Sequence, residues 1–169
     1  MFTLPNAEFF DRKPYYEAVK HLFDTQSNLI FKNSNVGHAS TIITEVFDHA
    51  TTIIRVFCRK LNVSVWGDQR LKDAIQQAVS RNVKIEIVTQ LPEKDVDVNS
   101  IAFFKHIGVH PQYGIGRDRK YNFVVADNKM FRLEPNADDI GAFASANNKE
   151  VSTKLEEIFA EIQSEKCIA

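Results

Sequence analysis

The chain has 169 residues, 44% hydrophobic and 25% charged, and a formal net charge of −1. That length can bury one core without disulfides or metal. The near-zero balance excludes a surface that attracts nucleic acid or membrane as a whole, so any such site must be a local patch. Cys58 lies in an apolar run and Cys167 in the tail, with no CxxC spacing between them. They read as unpaired thiols of a reducing compartment. The opening MFTLPNAEFF lacks the basic and apolar regions of a secretory leader. No apolar run nears the ~20 residues of a membrane span, so a cytoplasmic protein with no membrane span is expected.

Pro14 marks a helix start, where its missing N–H costs nothing, and Tyr15, Val19, Leu22 and Phe23 then share one face. NLIF, residues 28–31, reads as a short strand. From Ala39, the residues Ile42, Ile43, Val46, Phe47 and Ala50 recur at helical spacing. TTIIRVFCRKLNV is β-branched and aromatic between polar ends, the pattern of a buried strand. Asp68 caps a helix with a stripe of Leu71, Ala74, Ile75, Ala78 and Val79 that ends at Asn82.

VKIEIVTQ alternates apolar and charged residues as a strand does. VNSIAFFKHIG is a short helix stopped at Gly108, and VHPQYGI, broken by Pro111, is a strand near a sheet edge. YNFVVAD and KMFRLE form a hairpin turning at Asp127-Asn128. A loop follows, then a last helix capped by Asn147 with Glu150 three residues on; Val151, Leu155, Ile158, Phe159 and Ile162 form its apolar stripe. The sum is an α/β protein, a mixed sheet sandwiched by helices. Residues 1–38 are expected to form a helical extension packed on a single compact unit over 39–169.

This order of pieces resembles the phospholipase D superfamily, the HKD phosphodiesterases. Two blocks carry the likeness. The first runs from IITEVFDHATTIIRVFC to RNVKIEIVTQ: helix, strand, polar loop with Asp, helix, strand. The second, KYNFVVADNKMFRLEPNADDIGAFASANNKEVSTKLEEIF, stands where the family keeps H-x-K-x4-D-x6-G-S-x-N and its closing helix. The resemblance implies a His that attacks phosphorus, a second His that protonates the leaving group, and lysines that neutralise the phosphate. It also implies that single-motif members build the site across a homodimer.

Aligned on Asp127, the His position holds Lys120, the Lys position Asn122, and GSxN falls on Glu134-Pro135-Asn136-Ala137. Only Asp127 matches, and no His in the sequence has a Lys two places on. A lysine at neutral pH is protonated and is no nucleophile unless burial or cationic neighbours strip its proton. Asn122 brings no charge to a phosphate. The expected protein is therefore a non-catalytic domain with a binding, regulatory or assembly role, with no cofactor and no metal.

Its site residues would be Arg117, Arg119, Lys120 and Asn122, a basic loop leading into the family-site strand that could contact a phosphate. Its partners would be nucleic acid, or a second copy or other subunit met through the former active-site face. The alternatives are a divergent phosphodiesterase recruiting Lys120, His110 or Asp127, and a pure dimerisation module. His106 and His110 lack a third ligand in register, and the carboxylates of EKDVDVN and EPNADD lack the ligand spacing of a calcium loop. Trp66 reads equally as a ligand platform or interface anchor and as a lid on the core. The thirteen phenylalanines, several in EFF, AFFKH and GAFAS, suggest surplus apolar surface kept for an interface.

Overall fold

A computed structural model of the chain describes residues 2–3, 12–138 and 141–165. Cys167 and the phenylalanines of EFF lie outside the described residues. In chain order the elements are β1 (Phe2–Thr3), α1 (Arg12–Asp24), β2 (Phe31–Asn33), α2 (Val36–His49), β3 (Ile53–Cys58), α3 (Val63–Trp66) and α4 (Gln69–Ser80). They continue with β4 (Lys84–Thr89), α5 (Val98–His106), β5 (Gln112–Tyr113), β6 (Asn122–Ala126), β7 (Met130–Glu134), β8 (Ala142–Ser145) and α6 (Lys149–Ser164).

The strands form one eight-stranded mixed sheet in the order β1-β2-β8-β7-β6-β3-β4-β5. β3, β4 and β5 run parallel through helical crossovers, whereas β3-β6-β7-β8-β2 is antiparallel. Alternation along each strand divides the core. Ile54, Val56, Val124 and Ala126 face a cluster built with α1, α2, α4 and α5, including Val19, Phe23, Phe47, Leu71 and Phe104. Phe57, Phe123, Val125 and Phe131 face the opposite layer, where α6 supplies Leu155, Phe159 and Ile162. Burying those three α6 side chains stabilises the docking of that helix by roughly 5–8 kcal/mol.

Polar residues guide the same docking. Arg55, on β3 among apolar neighbours, pairs with Glu156 of α6 and lies 3.4 Å from Glu86 of β4, which also accepts from Gln163 of α6. The Glu86 carboxyl is held below the usual carboxylate range: burial pushes it up, but the hydrogen bonds from Gln163 and Lys84 and the charges of Lys84 and Arg55 outweigh that.

The structure departs from the sequence reading in several places. The boundary drawn at 38/39 falls inside α2, and the segment before it adds strands to the sheet as well as a helix. Of NLIF only Phe31 is in a strand, and Leu29 is exposed. β8 was expected as loop; its alanines are buried beneath α1 and α2, and pairing with β7 and β2 overrides a weak strand propensity. The α6 cap is Asn148, whose side chain accepts from Val151 N, one residue later than expected. The phenylalanines fill the core: none of the described ones is exposed, and the exposed large apolar side chains are Leu29, Val36, Val63 and Val98. Composition therefore gives no surplus aromatic surface among the described residues.

Asp127 has a defined structural task. It and Asn128 both have φ of 53°, the left-handed geometry of a two-residue hairpin turn. Its carboxylate accepts from Thr51 N at 2.7 Å, Thr52 N at 3.0 Å and Ile53 N at 2.9 Å, tying the hairpin to the start of β3. Hydrogen bonds to a charged acceptor are the stronger kind. Asp127→Ala is expected to destabilise the fold by roughly 2–3 kcal/mol in urea unfolding, and Asp127→Asn by about half as much. A loss below about 0.5 kcal/mol for the alanine variant would remove the structural role.

Candidate ligand-binding cleft

The antiparallel pairing of β3 with β6 sets the end of one strand against the start of the other. Arg59 and Lys60 leave β3 at the point where Asn122 opens β6. The Asn122 Oδ1 accepts from the backbone N–H of Arg59 at 2.9 Å, and its Nδ2 donates to Glu134 Oε2 at 2.7 Å. Glu134 stands directly opposite Asn122 on β7, and its Oε1 lies 2.8 Å from Arg132 Nη1. A continuous polar chain thus runs from the β3 exit through Asn122 and Glu134 to Arg132, which is only 5% exposed.

This chain lines one side of a cleft of about 470 Å³. Arg59, Lys60 and Asn62 form its rim; Ile43, Val56, Val65, Trp66 and Val124 make an apolar floor. Asn35, Val36 and Ala39 bring in the first turn of α2, whose N-terminal dipole adds positive potential. Three cations and one carboxylate, Glu134, are among the lining residues. Asp138 lies 3.9 Å from Arg59, but both are well exposed, so this pair offsets little. The cleft therefore favours an anion at its rim and an apolar or hydroxylated body below.

Cys58 also lines the cleft, and burial first, then the charge of Glu134, pushes its thiol up to about 12. It is a thiol, not a thiolate nucleophile. Trp66 is 5% exposed and meets Phe47 and Phe104 edge-on, as a lid on the core does, and it is also among the residues lining the cleft.

The residues expected to form one site do not converge. Asn122 is in the cleft. Lys120 is exposed and not among the lining residues, although its carbonyl accepts from Ala137 N, at the cleft wall, at 2.7 Å. Arg117 is exposed. Arg119 turns toward α6: its Nη1 donates to Tyr121 Oη at 2.8 Å and its Nη2 to Glu165 at 2.7 Å, which raises its already high basicity. His110 is exposed beside the edge strand β5, which β3 and β4 separate from β6. Asp127 ends at the opposite end of β6, roughly 17 Å from Asn122 at strand rise.

Arg59, Lys60, Arg132 and Glu134, which line the cleft, were not among the predicted site residues. The available signals were two adjacent cations at the exit of a buried strand, and an Arg and a Glu two apart on a strand, hence on one face. Among the described residues one trio with metal-ligand chemistry also meets, Asp24, Glu45 and His49, with ligand atoms within 4.8 Å of one another. His49 lies between the two carboxylates, 2.9 Å from Asp24 of α1 and 3.4 Å from Glu45 of its own helix, and this contact of α1 with α2 accounts for the trio.

No family model matches the sequence, and no curated protein sequence matches it. Solved structures do share its fold. Nuc from Salmonella typhimurium, a phospholipase D family member, superimposes with a TM-score of 0.57 at 17% identity over 80% of this chain and 92% of that one. NucT from Helicobacter pylori gives 0.57 at 10% identity over 80% and 96%. TrmBL2, described as an archaeal chromatin protein with a novel mode of DNA binding, gives 0.59 at 14% identity over 94% of this chain, which spans 60% of its length. The fold is that of the phospholipase D superfamily, as the resemblance implied. No helix among the described residues is long and apolar enough to cross a membrane.

The Cys58 environment is directly measurable. In the native protein at pH 8 its alkylation by iodoacetamide, followed by peptide mass mapping, should run at least about a hundredfold slower than that of a free cysteine. Labelling at the free rate would mean an open, ionised thiol and a cleft of different electrostatics.

Proposed function

We propose that this is a binding domain on the phospholipase D fold, and that its cleft holds a phosphate-bearing ligand without cleaving it. One observation carries the reading. Asn122, at the position where the resemblance implies a phosphate-neutralising lysine, is committed on both side-chain atoms, to the Arg59 backbone and to Glu134. Its role is to hold the rim in place. The rim cations are supplied instead by Arg59 and Lys60, since Arg132 is paired with Glu134. None of the five histidines lines the cleft, and the Cys58 thiol is held protonated, so the lining residues include no activated nucleophile. Electrostatic capture of phosphate needs only the rim.

Contact with nucleic acid is a second reading, favoured by exposed Arg117 and Lys120 near the end of the sheet where β6 begins. The two readings draw on different cations. In calorimetric titration with inorganic phosphate, Arg59→Glu with Lys60→Glu should weaken binding at least about tenfold, since each charged hydrogen bond contributes roughly 1.5–3 kcal/mol. Arg117→Glu with Lys120→Glu should leave it unchanged. If only the second pair matters, and for oligonucleotide but not phosphate, the nucleic-acid reading replaces the first. Bis-nitrophenyl phosphate in EDTA should show no turnover. Turnover abolished by Lys120→Ala or His110→Ala would make the protein an enzyme.

A further inference from the structure

Below its rim the cleft is a slot between two layers. On one side Val56 and Val124, both lining residues, stand directly opposite each other across β3 and β6. On the other, Ile43 comes from α2, and Val65 and Trp66 come from α3. Arg132, paired with Val124 in the β6–β7 register, bounds the slot on the β7 side, and its charge is met by Glu134. An opening with strand side chains on one side and helix side chains on the other suits a flat body better than a branched one.

The polar groups of the lining sort by kind. The side-chain acceptors are already engaged. Asn35 Oδ1 accepts from His38 N at 2.8 Å, and Asn62 Oδ1 accepts from Ser64 N at 3.2 Å. Asn122 Oδ1 accepts from Arg59 N, and the two oxygens of Glu134 hold Asn122 and Arg132. The backbone carbonyls of Cys58, Arg59 and Lys60 accept from the N–H groups of Gln90, Leu91 and Asn62. At the mouth the lining groups left for a ligand are donors: Arg59, Lys60 and the amide nitrogens of Asn35 and Asn62. Trp66 brings one more donor and no acceptor.

This division specifies the ligand. Donors at the mouth suit a phosphate. A hydroxyl, or the polar edge of a nucleobase, would give up water on entering the slot and meet only side-chain acceptors that are already engaged, which is costly. An apolar ring has no hydrogen bonds to lose and buries its surface against the valines and Trp66. The span is short: Val56 precedes Arg59 by three residues, roughly 10 Å at strand rise, within reach of a two-ring body and its phosphate.

We infer that the cleft takes a small aromatic phosphomonoester, its phosphate at Arg59 and Lys60 and its apolar ring between the valines of β3 and β6 and Trp66. This rests on the phosphate reading above and names the class of ligand. The slot selects against nucleotides, whose bases carry donors and acceptors on their edges.

Naphthyl phosphate is the probe, with inorganic phosphate and deoxycytidine monophosphate beside it. Calorimetry on the parent protein should show the naphthyl ester binding at least about tenfold more tightly than either. Val65→Asn sets a polar group in the floor at a half-buried position, and should remove most of that advantage while leaving the affinity for inorganic phosphate unchanged. Trp66 is the chain's one tryptophan, so its indole N–H gives a single resonance. In the parent this resonance should shift with naphthyl phosphate and not with inorganic phosphate, a measurement that does not depend on how the variant folds. Equal affinities for the naphthyl ester and inorganic phosphate would overturn the apolar slot and leave the phosphate reading standing. A nucleotide bound as tightly as the naphthyl ester would also overturn the slot. An advantage undiminished in Val65→Asn, or an indole resonance that stays fixed while the naphthyl ester binds, would place the ring elsewhere and overturn it as well. No binding of any probe would overturn both readings.

Discussion

The hydrogen bonds from the start of β3 to the Asp127 carboxylate set the positions of everything at the other end of the sheet. Three successive backbone N–H groups, of Thr51, Thr52 and Ile53, converge on one side chain. The Asp127 N–H returns a bond to the Ile53 carbonyl at 3.0 Å. The hairpin turn is thereby locked to the strand it pairs with, and a slip of one residue would turn every side chain of β6 to the wrong face. The same turn receives α6: Asn128 accepts from Thr153, and Asn148 N donates to the Lys129 carbonyl at 2.6 Å. One carboxylate at one end of β6 therefore determines which residue of that strand meets Arg59 at the other.

That far end is polar where a sandwich of this kind would ordinarily be apolar. Burying Arg132 is costly unless its charge is met, and a half-satisfied network is worse than an apolar one. Glu134 meets the charge, and Asn122 holds Glu134 while securing the chain as it leaves β3. Such an arrangement would be expensive as mere scaffolding. On the opposite face Arg55 is answered by Glu86 and Glu156, with Gln163 completing the group, and the Ser152 hydroxyl of α6 is that layer's buried orphan among the described residues. The α6 side uses polar residues to fix a helix. The α1–α2 side leaves polar atoms of Tyr15, Asn33 and Arg132 unpaired, and of these residues Arg132 lines the cleft.

The sequence was legible where a residue's local chemistry decided its structure. Asp68 at a helix start, Gly108 at a helix end, Pro111 before an edge strand and the Asp127-Asn128 turn all took the expected places. It was opaque where neighbours decided. The Ala-rich β8 has little strand propensity of its own and is a strand because β7 and β2 pair with it on both sides. The site suffered in the same way. Arg117, Arg119 and Lys120 are adjacent in sequence, but a loop sends them apart, and Arg119 finds Glu165 across the α6 layer. Arg59 is far in the chain from Arg132 and Glu134, and only strand order and register bring them to one cleft.

The N-terminal segment shows how far that principle reaches. Read in isolation it is an amphipathic helix and a scrap of strand, and an appendage is the natural description. In the sheet, β2 caps the antiparallel side and α1 packs against α2. Tyr15 is thereby buried in the cluster between α1, α2 and the sheet, and Asn33 is buried on the same sheet face. Neither can satisfy its buried polar atoms from within the segment. A segment that reads as an appendage in sequence is thus an integral layer of the fold, because its strand and helix are completed only by pairing and packing with elements formed later in the chain.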